Sequence, residues 1–127
     1  MLKRIGVLTC LGVMLSYATV YAATTYSFTY NFKHQLSVSG TQKATQSSAN
    51  FNIYTTTNGS SENWFDVKQF KPKLIGSDEY ITSRSIDCKV NSSGSCSFPT
   101  TTGTSYSYEF WKPVAVGQLI GSGTLKY

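Results

Sequence analysis

Ionisable chemistry is scarce in this chain. Of 127 residues, 13% are charged, six are acidic and one is histidine. His34, beside Lys33 at a break between two strand patterns, reads as a solvated turn residue. Nucleophilic catalysis needs a base held against its nucleophile, and no Gly-x-Ser-x-Gly elbow is present. The acids are Glu62, Asp66, Asp78, Glu79, Asp87 and Glu109. Only Asp78 and Glu79 are adjacent, in a turn signal, and neighbouring strand residues face opposite sides. A pair of carboxylates for acid–base or glycosidic work is therefore not expected. A weak calcium site at Asp78, Glu79 and Asp87 is the lesser reading, because the spacing matches no EF-hand loop. Cys-x-x-Cys spacing is missing, which argues against a redox or metal framework. Gly121-Ser122-Gly123 leads into a strand pattern and not a helix, so it is no phosphate loop. No catalytic residue, metal or cofactor is expected.

Residues 1–22 read as a cleaved secretory signal peptide. Lys3 and Arg4 precede an uncharged, mostly apolar stretch over 5–20, and Val20-Tyr21-Ala22 suits cleavage. The apolar run is short for a membrane span of about 20 residues, and Cys10 lies too near the start for a lipoprotein. The remaining 23–127 is expected to be a single domain. Loss of Lys3 and Arg4 lowers the net charge from +5 to +3. Four leucines remain beside sixteen aromatic residues. Little Leu, little charge and much Ser, Thr, Tyr and Phe is the composition of an all-β secreted domain.

Cys88 and Cys96 flank an Asn-Ser-Ser-Gly turn signal with arms of equal length. In an oxidising compartment that arrangement predicts a hairpin disulfide, worth about 2.5 kcal/mol on the chain-entropy model.

A period of two runs through most of the domain. Tyr26, Phe28, Tyr30 and Phe32 alternate with polar residues. Leu36 and Val38 continue after the break, and Gly40 ends that strand or marks a bulge. Further strands are predicted over 48–55, 64–70, 80–82, 85–90, 95–98 and 106–110, with a last one over 118–126 interrupted at Gly121-Ser122-Gly123. Turn signals at 57–60, 76–78 and 99–103 separate them. No amphipathic helix of useful length is present. Seven to nine short strands predict a single small antiparallel β-sandwich of immunoglobulin-like size, with a small barrel as the alternative.

Binding chemistry is better supplied. Trp64, Phe70, Tyr80, Tyr106, Tyr108 and Trp111 are more ring surface than so small a core requires. Exposed rings on a β face stack on sugars or anchor partners. Parity sets Trp111 on the face of Ser107 and Glu109, opposite Tyr106, Tyr108 and Phe110, and the faces of 64–70 divide into Trp64/Phe70 and Phe65/Val67. Trp64, Phe70, Tyr80 and Trp111 are thus the candidate binding rings. Lys68, Lys71 and Lys73 form a basic cluster beside Phe70 and Pro72. It fits an anionic polymer or headgroup, although lysines near a strand end more often protect an edge. A charge of +3 and export argue against nucleic acid. Asn58 and Asn91 head Asn-x-Ser sequons.

The expectation is a secreted, extracellular, non-enzymatic binding protein. Its partner would be a cell-surface glycan, a wall polymer or an extracellular protein, and membrane contact is a secondary possibility. The alternatives are a small toxin or bacteriocin-like membrane-active protein and a self-assembling matrix protein.

Overall fold

Alternation of polar and apolar residues over short runs can bury only one side of each strand, so two sheets must close on each other. In the computed structural model they do so. It describes residues 22–113 and 117–127; the expected leader, apart from Ala22, lies outside the described residues. Eight strands follow one another: β1 Thr25–Phe32, β2 Gln35–Lys43, β3 Ser48–Asn58, β4 Trp64–Lys71, β5 Glu79–Asp87, β6 Ser92–Pro99, β7 Ser105–Trp111 and β8 Leu119–Lys126. One antiparallel sheet has the order β1-β8-β3-β6 and the other β2-β7-β4-β5. This is an all-β sandwich.

The pairing is nested. β4 pairs with β5, β3 with β6, β2 with β7 and β1 with β8. The chain is one long hairpin, folded at the β4–β5 turn and rolled into two sheets, which is the jelly-roll topology. At its open end Thr24 and Tyr127 exchange two backbone hydrogen bonds.

The inward rings of both sheets form the core. Phe51, Phe65 and Phe110 are fully buried, with Tyr30, Phe98 and Tyr108 nearly so. Phe110 is the hub: its ring lies 4.7 Å from Phe65 and between 5.7 and 5.9 Å from Phe28, Tyr30, Phe32 and Phe51. Edge-to-face and tilted contacts dominate, as the ring quadrupole favours. The Tyr30 hydroxyl shares a 2.6 Å hydrogen bond with buried Thr55.

Four expectations change. Gly121 and Gly123 do not interrupt β8; they stand opposite Tyr30 and Phe28 of β1. A Cβ at Gly121 would meet the Tyr30 hydroxyl at 2.3 Å and the Tyr54 carbonyl oxygen at 2.2 Å, so the glycines make room for the β1 rings. The strands expected over 80–82 and 85–90 are one strand, Glu79–Asp87, which runs through Arg84 and ends before Cys88. β4 is not an edge, since it lies between β7 and β5, so Lys68 protects no edge.

The fourth correction is the disulfide: Cys88 and Cys96 are both free. Their segments never form a hairpin, because β5 pairs with β4 and β6 pairs with β3 in the opposite sheet. The intervening residues carry the chain across the sandwich, with Asn91 at φ 57°. Cys88, just past β5, has Asn63 and Asn58 beside it, whereas Cys96 is the register partner of Phe51. At the crossing, Gly94 passes so close to Asp87 that a Cβ there would lie 2.1 Å from the Asp87 carbonyl oxygen.

Candidate functional site

Strand parity dictates what the outer face of the β2-β7-β4-β5 sheet carries. From β4 come Trp64, Asp66, Lys68 and Phe70, and from β7 come Ser105, Ser107, Glu109 and Trp111. The register sets Trp111 between Gln35 and Asp66, Glu109 between Ser37 and Lys68, and Ser107 between Thr41 and Phe70.

A groove of about 380 Å³ opens on this face. Phe70 and Ser107 line it from the sheet, with Ser37 and Thr41 on β2 and Glu109 on β7. Ser77 and Asp78, from the loop between β4 and β5, supply the remaining side. Two local features shape it. A bulge between Val38 and Thr41, with Gly40 at φ 64°, inserts extra backbone into β2. The loop folds back far enough for Ser107 Oγ to donate to Asp78 Oδ2 at 3.3 Å. Glu109 is held in place by Gln35, whose Nε2 donates to Oε2 at 3.2 Å. The groove therefore offers one aromatic ring, four hydroxyl side chains and two carboxylates. Tyr80 extends the aromatic surface: it is 54% exposed, and its ring lies 5.8 Å from Phe70 at 65°.

The sequence-expected rings thus divide. Phe70 and Tyr80 come together at the groove. Trp64 and Trp111 share the sheet face but are half-buried and already engaged. Lys68 Nζ sits 3.9 Å above the Trp111 ring, and His34 lies 5.8 Å from the same ring. Lys112 Nζ stands 4.6 Å from the Trp64 ring. Such cation–π contacts strengthen as they are desolvated. Tyr106 and Tyr108 are core residues. Lys71 and Lys73 are exposed outside the groove, so the basic cluster does not act as a unit with Lys68.

Sequence reading missed Lys112. It is 2% exposed, donates to the Trp64 carbonyl and lies 3.8 Å from Glu62. Its only signal was a place between Trp111 and Pro113. Reading also missed Ser37, Thr41 and Asp78 as groove residues, because a neighbouring strand and a returning loop bring them there.

Burial shifts the thiols and two of the core phenols. It pushes the Cys88 thiol up to about 11 and the Cys96 thiol to about 12. Lys112 and Arg84 respectively oppose the shift. The Tyr108 phenol is pushed up to about 12, again by burial, against the Gln69 hydrogen bond. These thiols are protonated at neutral pH and are poor nucleophiles. Among the described residues, no three His, Cys, Asp or Glu side chains gather as a metal site would require. On the other sheet a shallower hollow of about 730 Å³ is lined by Tyr26, Phe28 and the hydroxyls of Ser27, Thr29, Ser122 and Thr124.

No protein-family model matches this chain, and neither does any curated protein sequence.

Proposed function

We propose that this is an exported, non-enzymatic binding protein whose ligand is a glycan of a cell surface or wall, seated in the groove beside Phe70. The observation that carries this reading is the composition of the groove. A ring, several hydroxyls and two carboxylates converge on one concave patch. A sugar presents the complement, with an apolar C–H face for the ring and hydroxyls or amino groups for the acceptors. Trp111, a candidate ring on strand parity, is a lesser contributor in this reading because Lys68 covers it.

The test is co-sedimentation of the purified protein with isolated cell walls and insoluble polysaccharides. Phe70→Ala should weaken retention about five- to tenfold, the worth of one good ring contact. Trp111→Ala should weaken it less. Retention by none of these polymers, or retention unaffected by Phe70→Ala, would refute the glycan groove.

A further inference from the structure

The turn of the long hairpin holds an anomaly. Leu74 and Ile75, at its tip, are 105% and 91% exposed. The other large exposed hydrophobics among the described residues, Tyr54, Tyr80, Ile81 and Val90, lie between 39% and 54%. Single exposed apolar residues are ordinary on protein surfaces. Two adjacent branched aliphatic side chains with no protein cover are not. Gly76, at φ 90°, turns the backbone just beyond them.

The charge nearest the apolar pair is positive, and the two acids of the hairpin, Asp78 and Glu79, lie at its root. Between residues 72 and 77 the only charged side chain is that of Lys73, next to Leu74. Lys71 stands at the root of the loop, opposite Glu79 in register. Asp78, the other nearby acid, is turned back on the sheet by Ser107. A convex aliphatic tip needs a partner that closes around it without a preformed pocket, and a bilayer does this. Lysine stems are long enough to keep ammonium groups at the phosphate level while their neighbours enter the acyl boundary. We propose that the β4–β5 tip docks on an anionic lipid surface, with Leu74 and Ile75 inserted and Lys73, assisted by Lys71, at the headgroup phosphates. The groove and its glycan play no part in this contact, so either reading can fail alone.

Two inserted residues make a weak, reversible anchor. The purified protein should co-sediment with vesicles of equal parts phosphatidylglycerol and phosphatidylcholine at lipid concentrations on the order of a millimolar. Binding should weaken severalfold as salt rises from about 50 to 300 mM. The double variant L74S/I75S should bind on the order of tenfold more weakly, and Lys73→Gln about fivefold more weakly on the anionic vesicles alone. Phe70→Ala should bind vesicles like the parent. Both tip residues lie outside the core, so the double variant should keep the parent's melting temperature, which serves as the folding control. Absence of sedimentation at about 10 mM lipid, or equal sedimentation of parent and L74S/I75S, overturns the proposal. So does a parent that is dimeric and an L74S/I75S variant that is monomeric by sedimentation velocity, which would assign the tip to a second copy of this chain.

Discussion

Phe110→Ala is the sharpest test of the fold. The Phe110 ring is fully buried and contacts rings from β1, β3 and β4, so it links both sheets. Truncation removes the transfer free energy of the ring and leaves a cavity walled by five other rings, which can relax only partly. Buried Phe→Ala changes cost about 3–5 kcal/mol, and this site belongs at the upper end. For a domain near 100 residues that is a drop in melting temperature of roughly 15–25 °C. Phe28 is the internal comparison: its ring touches Phe110 at 5.7 Å but is only partly buried, at the core's margin. Phe28→Ala should cost roughly half as much. The assay is urea unfolding followed by far-ultraviolet circular dichroism and tryptophan fluorescence. If Phe110→Ala does not fold, Phe110→Leu should, at a cost of roughly 1–2 kcal/mol. A loss below about 1.5 kcal/mol for Phe110→Ala, or one no larger than that of Phe28→Ala, would refute the hub assignment.

The stability contributed by Cys88, Cys96 and Tyr108 should be constant below pH 9 and fall as pH rises toward 12. The unfolded chain releases thiol protons near 9.0 and phenol protons near 10.0, whereas the folded chain holds those of Cys88, Cys96 and Tyr108 to about 11, 12 and 12. Urea midpoints measured across that range check the slope, and a flat profile would contradict the burial of these groups. With both cysteines free, the oxidised-state mass should show no bond between Cys88 and Cys96, and reductant should leave the melting temperature unchanged. Gly94→Ala should destabilise the protein by several kcal/mol, because its Cβ meets Asp87 backbone rather than a movable side chain; wild-type stability in a thermal melt would remove the close crossing.

Period-two patterning was enough to locate β1, β3, β4 and β7 and to sort their faces. It does so because one buried side per strand leaves a direct mark on composition. The same parity set Ser107 and Glu109 on the face of Trp111, where half of the groove lies. Partners leave no such mark. Alternation says which side of a strand is wet and nothing about its neighbour, so the turn signal between Cys88 and Cys96 reads as a hairpin when it is a crossing. β5 already had β4, joined by the loop over 72–78, and β6 had β3. Lys68 over Trp111 was illegible for the same reason, since it depends on β4 and β7 being adjacent. The glycines of β8 misled locally: in isolation they resemble a break, and their purpose becomes visible only when the rings of β1 face them.

The nested pairing also bears on how the protein can be made. β8 lies between β1 and β3, so the first strand has no lateral neighbour until the last one arrives. A nascent chain still missing residues 119–126 can close the β4–β5 hairpin and begin the pairs around it. It cannot seal the β1-β8-β3-β6 sheet, and the inward rings of β1 stay in water. Closure of this sheet therefore waits until β8 has been made, and any factor that must act on the open chain has that whole interval in which to do so.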